Sequence, residues 1–320
     1  MEHTLPYRTR IKRILKRLRF KWWAKKIIYT KFYVRHVGKI PYFDVEMERK
    51  VDLRPSLDSN ARKPGISGFM RLRNEEQFVE MAIESAVDCL DELVIVHNGG
   101  TDRTPEIIEA CRQRHPDKIR VYEYKPTVYL PGSVEHRTHP MDSPNSLVNY
   151  YNFALAKTTH KIALKIDGDD LFLPELFRKV TDKVRAGELS LPIGIIGINL
   201  WDADGEIKVN AELPLKGGLD KGFFEVSPLT FFVHYRLYEL FTYAFEHSAG
   251  VVYYHLKGMK NDHGLANYNL QSNKTTFSSK AVAQFIRPAL MPWATLDQVL
   301  PGAARLPVPA ELGLIPRKQY

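Results

Sequence analysis

ISGFMRLRNEEQFVEMAIESAVDCLDELVIVHNGG, residues 66–100, holds the pattern that decides the fold. It opens with an apolar run over 66–72, which predicts a strand. From Asn74 to Leu90, apolar residues recur at helical spacing behind acidic residues, and this predicts an amphipathic helix. A second apolar run over 92–96 predicts the next strand. A strand, a helix and a strand in this order are typical of a parallel βαβ unit.

The same alternation continues to residue 200. The sequence predicts further helices over 104–114, 146–156 and 173–186, and further strands over 119–124, 161–166 and 193–200. Beyond that point the pattern loosens, and we expect a helix near 228–245 and a strand over 250–255. The alternation predicts an α/β fold with a Rossmann-like, mostly parallel sheet and helices on both faces.

Length and composition set the domain organisation. The chain has 320 residues, enough for one large domain with a substantial core. We expect a linker or irregular wrap over the proline-containing residues 41–64, the α/β domain over 65–265, and a tail over 266–320 that packs on the domain. The chain has only two cysteines, Cys89 and Cys111, and a single disulfide bond could not stabilise a chain of this length. This favours a reducing compartment.

Positive charge is concentrated at the N terminus. Residues 1–40 hold thirteen of the 46 lysines and arginines and one acidic residue, Glu2, so this arm carries +12 within a net charge of +9. The other residues together carry −3. Because a nucleic-acid-binding protein would spread basic residues through its body, we expect no nucleic-acid partner.

The basic arm has an amphipathic pattern. Its apolar residues recur at spacings of three and four, at Ile11, Ile14, Leu15, Leu18 and Trp22. A basic helix of this kind lies on an anionic bilayer, and its frequent lysines and arginines leave no run long enough to span one. We therefore expect a cytoplasmic protein held on the inner face of the cell membrane. A helix packed on the domain, an RNA-binding tail and a transit peptide stay open as other interpretations.

Polar residues follow several of the predicted strands, where open α/β sheets bind their ligands. The strand over 161–166 runs directly into Asp167, Gly168, Asp169 and Asp170. Carboxylates so close together repel each other unless they share a cation, and a divalent cation would in turn bind phosphate oxygens. A role for Asp169 and Asp170 in capping the following helix is the alternative.

Three motifs together resemble glycosyltransferase family 2, whose fold is the GT-A nucleotide-diphospho-sugar fold. Residues 74–76, Asn-Glu-Glu, resemble the family's Asn-Glu-Glu turn. Residues 98–104 resemble its Asp-Gly-Ser-Thr-Asp-Gly-Thr motif. Asp167 and Asp169 match its metal and diphosphate carboxylates. The resemblance covers about residues 66–185 and implies an enzyme, with Mn or Mg as its cofactor.

The resemblance also implies site residues. For the nucleotide-sugar donor these are Arg73, Asn74, Glu75, His97, Asn98, Asp102, Asn152, Lys165 and Asp167. For the metal they are Asp167, Asp169 and His255, although a histidine at an interface without a ligand is an equal alternative for the last. Candidates for the general base are Asp220 and Glu239, each of which could instead be a structural acid. Since His97 and Asn98 stand where the family has two aspartates, the donor base stays open.

The function implied is inverting transfer of a sugar from a nucleotide-diphosphate donor to an acceptor hydroxyl. A protein on the membrane surface would use a growing surface glycan or glycolipid as acceptor, such as lipopolysaccharide or capsule. Two rivals are a nucleotidyltransferase and a non-catalytic protein tethered to membrane or RNA. The first would carry a glycine-rich phosphate loop near the start of the sheet, and residues 71–73 contain no glycine.

Overall fold

The computed structural model describes residues 39–131, 133–203, 205–235, 238–243, 245, 247–261 and 288–314. The basic helix predicted over residues 1–40 therefore lies outside the described residues, apart from the last two positions of the arm. In the part of the chain that is described, no helix is both long enough and apolar enough to cross a bilayer.

The described residues form an alternation of strands and helices. The strands are β1 (Pro41–Asp44), β2 (Arg49–Asp52), β3 (Lys63–Leu72), β4 (Glu92–His97), β5 (Ile119–Glu123), β6 (His160–Ile166), β7 (Asp170–Phe172), β8 (Ile193–Ala203), β9 (Glu206–Asn210), β10 (Leu215–Glu225), β11 (Phe232–Tyr235), β12 (Tyr238–Phe241), β13 (His247–Gly258) and β14 (Leu290–Pro292). The helices are α1 (Val79–Val87), α2 (Thr104–Arg114), α3 (Val134–Thr138), α4 (Leu147–Ala156) and α5 (Pro174–Arg185). Short 3-10 segments lie over Arg54–Leu57, Ser59–Ala61, Trp293–Gln298, Ala303–Arg305 and Pro309–Leu312.

One large sheet organises the domain, in the order β14-β9-β8-β10-β6-β3-β4-β5, with β13 beside β8 and β7 beside β13. Strands β5, β4, β3 and β6 are parallel to one another. Strand β10 runs antiparallel to both of its neighbours, while β13 is parallel to β8. The predicted α/β fold is confirmed, and the parallel half of the sheet carries the motifs found in the sequence.

Helices cover both faces of the sheet. On one face, α1, α2 and α5 bury residues such as Ile83, Ile108 and Phe177 in a first core. On the other face, α4 buries Phe153 in a second core that also contains Phe69 of β3. Because successive strand residues point to opposite faces, each strand of the parallel half contributes to both cores.

The structure corrects the linker predicted over residues 41–64. Strands β1 and β2 pair as an antiparallel hairpin, and the 3-10 turns that follow lead directly into β3. Tyr42, Leu53 and Leu57 are buried in the second core. The side chain of Asn149 on α4 also bonds both backbone polar groups of Phe43, at 2.7 and 2.9 Å. Burial of these residues makes the segment part of the domain.

The helix predicted near 228–245 is wrong. Strands β11 and β12 form an antiparallel hairpin there, with Phe232 opposite Phe241. Both rings are buried in the second core and lie 5.1 Å apart between centroids. A short run of aromatic residues suits a hairpin that buries one face, and tertiary packing decides between the two structures.

The C-terminal residues 288–314 pack on the domain. Strand β14 extends the sheet by pairing with β9. The 3-10 turns that follow bury Leu296, Ala303 and Leu314 in a third core with Tyr254 and Leu256 of β13. The far edge of the sheet is therefore covered by the end of the chain.

Replacement of Leu57 tests whether the N-terminal hairpin is part of the domain. Leu57→Ala should lower the free energy of unfolding by about 2–5 kcal/mol, because it leaves a cavity in the second core. Leu213→Ala is the matched control, since Leu213 is 68% exposed, and it should change that free energy by about 0.5 kcal/mol or less. Urea unfolding measures both. Equal effects of the two substitutions would contradict the packing described above.

Candidate active site

The turn from Asp167 to Asp170 joins β6 to β7 at the carboxyl end of the parallel strands. Residue 168 has no room for a side chain, because a Cβ on Gly168 would lie 2.8 Å from Leu72 Cδ2 and 3.0 Å from Glu75 Cγ. The turn is also closed on itself, since the backbone amide of Asp167 donates to Asp170 Oδ2 at 2.8 Å. The aspartates are thus held directly against the Asn-Glu-Glu turn that follows β3.

Three buried side chains meet at this turn. Asp169, Asp170 and His255 each offer one ligand atom, and these atoms lie within 4.8 Å of one another. Strand β13 brings His255 opposite Asp170 on β7. Carboxylate and imidazole ligands suit a divalent cation such as Mn²⁺. The structure therefore brings together the predicted ligands Asp169 and His255, with Asp170 in the place predicted for Asp167.

The imidazole of His255 is oriented by its neighbours. Nδ1 lies 2.7 Å from Asn199 Oδ1, so Nδ1 carries the proton and donates it to the amide oxygen. Nε2 faces Asp169 Oδ1 at 3.8 Å. Burial lowers the pKa of His255 to about 3, so the ring is neutral at physiological pH. A neutral ring with its Nε2 lone pair aimed at the cluster has the form that a metal ligand requires.

Three lysines surround the aspartates. Lys165, which the sequence indicated as a donor-binding residue, lies 3.1 Å from Asp167, and Lys221 lies 2.9 Å from the same carboxylate. Lys221 is also hydrogen-bonded to Asp170, and Lys260 lies 3.0 Å from Asp169. Sequence reasoning missed both Lys221 and Lys260, because neither belongs to a motif.

These lysines govern the ionisation of the aspartates. Burial opposes the charge of Asp167, but Lys165 and Lys221 outweigh it and hold the pKa of Asp167 well below its usual range. Burial likewise opposes the charge of Asp169, and Lys260 is the largest factor that nevertheless keeps its pKa low. Burial raises the pKa of Asp170 to about 6, so that this carboxylate is still mostly ionised at neutral pH.

Glu75 links the Asn-Glu-Glu turn to the aspartates. Its carboxylate lies 2.5 Å from Lys260 Nζ, and the same ammonium reaches Asp169. Burial raises the pKa of Glu75 to about 8, against the opposing effect of Lys260. The predicted residue Glu75 is therefore brought to the site through a lysine that it shares with Asp169.

The two motifs around Asn74 and Asp102 brace each other. Asn74 has a φ of +53°, and its Oδ1 accepts from the amide of Thr101 at 2.9 Å. The amide of Glu76 donates to Asp102 Oδ2 at 3.0 Å, and the other Asp102 oxygen accepts from Thr104 at 3.1 Å. The side chains of Asn74 and Asp102 thus hold the backbone of two loops together.

Asn98 and Asn152 are likewise bonded to backbone. Asn98 is buried and its amide nitrogen donates to the carbonyls of Tyr124 and Pro126 at 2.6 and 2.7 Å. Asn152, on α4, exchanges two hydrogen bonds with the backbone of Phe232 in the β11–β12 hairpin. Both amides are engaged within the protein, although the sequence indicated them as donor-binding groups.

His97, Arg73 and Arg71 lie at the ends of the neighbouring strands β3 and β4. Burial lowers the pKa of His97, and Arg73 directly precedes Asn74. The guanidinium of Arg71 lies 3.4 Å from the centroid of the Tyr151 ring. Lys165 approaches the same ring at 5.5 Å, so two cations lie beside Asp167 on the α4 face of the sheet.

The two predicted general bases lie in the second half of the domain. Glu239, on β12, is 3.3 Å from His136 Nε2. Burial raises its pKa, while Arg71, His234 and Lys165 oppose the shift. This places Glu239 on the side of the site where Arg71 and Lys165 lie. Asp220 belongs to β10, and its side chain is outside the described part of the structure.

Comparison with known proteins finds a family model that matches one segment of this chain. Residues 69–125 match the family model described as Glycosyl transferase family 2. The match confirms the predicted resemblance to that family over these residues. It contains both the Asn-Glu-Glu turn and the 98–104 motif, and it ends before Asp167.

Solved structures similar to this chain include a sugar-phosphate synthase and a further mycobacterial protein. Glucosyl-3-phosphoglycerate synthase from Mycobacterium tuberculosis, in complex with Mn²⁺, UDP and glucosyl-3-phosphoglycerate, is 19% identical, with 47% of each chain covered and a TM-score of 0.29. The same enzyme with Mg²⁺ and UDP is 19% identical, covering 47% of this chain and 46% of that chain, with a TM-score of 0.29. A mycobacterial protein is 15% identical, with 48% of each chain covered and a TM-score of 0.30.

Each of these similarities spans about half the length of the solved structure. No curated protein matches the chain. The family resemblance therefore rests on the motif residues and on the matching family model.

Replacement of Asn74 tests the bracing of the two motifs. Asn74→Ala should lower the free energy of unfolding by about 1 kcal/mol more than Asn74→Gly, because alanine is strained at a positive φ and glycine is not. Both variants lose the hydrogen bond to Thr101, so their difference isolates the backbone term. Chemical unfolding measures it. Equal stability of the two variants would argue against the left-handed turn.

Proposed function

We propose that this protein is a metal-dependent, inverting glycosyltransferase. It moves a sugar from a nucleotide-diphosphate donor to a hydroxyl group of a growing surface glycan or glycolipid, such as lipopolysaccharide or capsule. The observation that carries the proposal is the buried cluster of Asp169, Asp170 and His255 at the carboxyl ends of the strands. The family match over residues 69–125 supports sugar transfer as the chemistry.

The residues of the cluster fit a divalent cation. Asp170 Oδ1 is sealed from solvent and has no hydrogen-bond partner among the described residues, so it keeps lone pairs available for a ligand. His255 contributes Nε2, and Asp169 contributes the oxygen that faces it. A cation held by these groups would stabilise negative charge on the departing diphosphate.

The remaining residues supply charge and proton transfer. The cations Arg71, Lys165 and Lys221 lie around Asp167 and would attract an anionic donor. Glu239 is the proposed base, because its carboxylate is buried beside His136 and its charge interacts with Arg71 and Lys165. It would accept the proton of the acceptor hydroxyl as that oxygen attacks the anomeric carbon and the bond to the diphosphate breaks. A single displacement of this kind inverts the anomeric centre.

The charge of the basic arm supports the proposed acceptor and location. Its charge of +12 over residues 1–40 would attract it to an anionic membrane surface, where lipid-linked glycans are assembled. The proposed protein is therefore cytoplasmic and peripheral on the inner face of the cell membrane. The rest of the chain carries a net charge of −3. This charge supports a nucleotide-sugar donor, and not a nucleic acid, as the ligand of the domain.

Substitution of a cluster carboxylate tests the proposed activity. Asp169→Asn should lower sugar transfer by about a hundredfold or more, because the site loses a ligand charge. Asp182→Asn is the matched control, since Asp182 is an exposed aspartate on α5 with a side chain 63% accessible. A panel of nucleotide sugars with Mn²⁺, screened first by thermal shift, provides the donor for the assay. Equal transfer rates in the two variants would exclude the cluster from catalysis.

Removal of the arm tests the proposed location. A chain lacking residues 1–38 should no longer sediment with vesicles that contain anionic lipid, while its thermal stability is unchanged. The cut precedes Ile40, which is buried and whose amide donates to Asp52, so the shortened chain keeps this contact. Vesicles of neutral lipid are the control for charge. Continued sedimentation of the shortened chain would place membrane binding elsewhere.

A further inference from the structure

Each aspartate of the buried cluster divides its two oxygens between a lysine and the cluster. Asp170 Oδ2 is bonded to Lys221, while Asp170 Oδ1 is sealed and has no hydrogen-bond partner among the described residues. Asp169 Oδ2 lies 3.0 Å from Lys260, while Asp169 Oδ1 faces His255 Nε2. The same division therefore occurs twice, with a different lysine each time.

The two lysines are themselves buried and engaged. The side chain of Lys221 is 2% exposed and that of Lys260 is 9% exposed. Each ammonium bridges two acids, because Lys221 also contacts Asp167 and Lys260 also contacts Glu75. Buried ammonium groups persist only beside anions, so these lysines are internal counterions of the acidic turn.

Lys221 and Lys260 change the net charge around the position that a divalent cation would occupy. Without them, the two aspartates would present uncompensated negative charge, and a cation would bind tightly. With them, two ammonium groups lie one carboxylate away from the cation position and repel the cation through a medium of low dielectric. The aspartates do not need the lysines to hold their place, since the amide of Asp167 fixes Asp170 and the carbonyl of Asp169 accepts from Leu256 at 2.8 Å.

We propose that Lys221 and Lys260 are positioning residues that act on the cation through Asp170 and Asp169 and hold its affinity down. The inference rests on the proposed function, because it concerns the same cluster. A weakly held cation exchanges readily and is bound firmly only when a second anion, the donor diphosphate, offsets the two ammonium charges. The lysines thereby make cation binding depend on the donor.

Affinity for Mn²⁺ alone tests the proposal, measured on the full chain by titration calorimetry or by the electron paramagnetic resonance signal of free Mn²⁺. Lys260→Met and Lys221→Met should each tighten binding about tenfold or more, because each removes one repelling charge near the cation. Lys260→Arg keeps the charge and should retain the wild-type affinity. A purely structural lysine would give the opposite result, since its loss would disorder the ligands and weaken binding.

Two controls complete the experiment. Lys157→Met removes the lysine of an ion pair with Glu46, away from the cluster, and should leave Mn²⁺ affinity unchanged. Asp169→Asn should abolish binding. Circular dichroism confirms folding, and Lys260→Met suffices on its own should Lys221→Met fail to fold. Folded methionine variants that bind Mn²⁺ no more tightly than wild type overturn the inference, and sugar transfer by the wild-type enzyme would then leave the proposed function standing.

Discussion

Burial of Asp169 and Asp170 in one turn, beside the partly buried Asp167 and Glu75, is the constraint on which the site depends. Carboxylates removed from water are costly unless ions or hydrogen bonds compensate them. Here the compensation comes from Lys221 on β10 and from Lys260 just after β13. The turn after β6 presents the aspartates, and β10 and β13 bring Lys221 and Lys260, whose charges compensate for the burial of the carboxylates. The two halves of the domain are therefore joined by charge as well as by backbone pairing.

Local patterns were enough to predict the parallel half of the fold. Helices α1, α2 and α5, which lie between residues 66 and 200, each bury one face and expose the other, so their hydrophobic period is visible in the sequence. The predictions failed for segments whose burial depends on residues far away along the chain. The hairpin of β11 and β12 is stabilised by packing on α4 and by Asn152, and the hairpin of β1 and β2 by Asn149. Neither contact can be read from the segment itself.

The site was predictable in part, for a related reason. Asp169 and His255, which the sequence indicated at two strand ends, lie together with Asp170 in the structure. The motifs also indicated Asn74, Asn98 and Asp102, whose side chains bond to backbone. Residues that mark the family in the sequence thus include those that fix its loops. Lys221 and Lys260 cannot be recognised in the sequence, because their role depends on the acidic residues that the fold places beside them.

The dependence of His255 on β13 has a consequence for folding. Asp169 and Asp170 lie in the first half of the domain, whereas their imidazole partner arrives only when a strand from far along the chain docks beside β7 and β8. Contacts between such distant segments are the slow ones to form, since a long loop must close first. A chain stalled before this docking would display every motif that identifies the family and yet have no complete cation site. Uptake of a cation would therefore report that β13 has docked on the sheet.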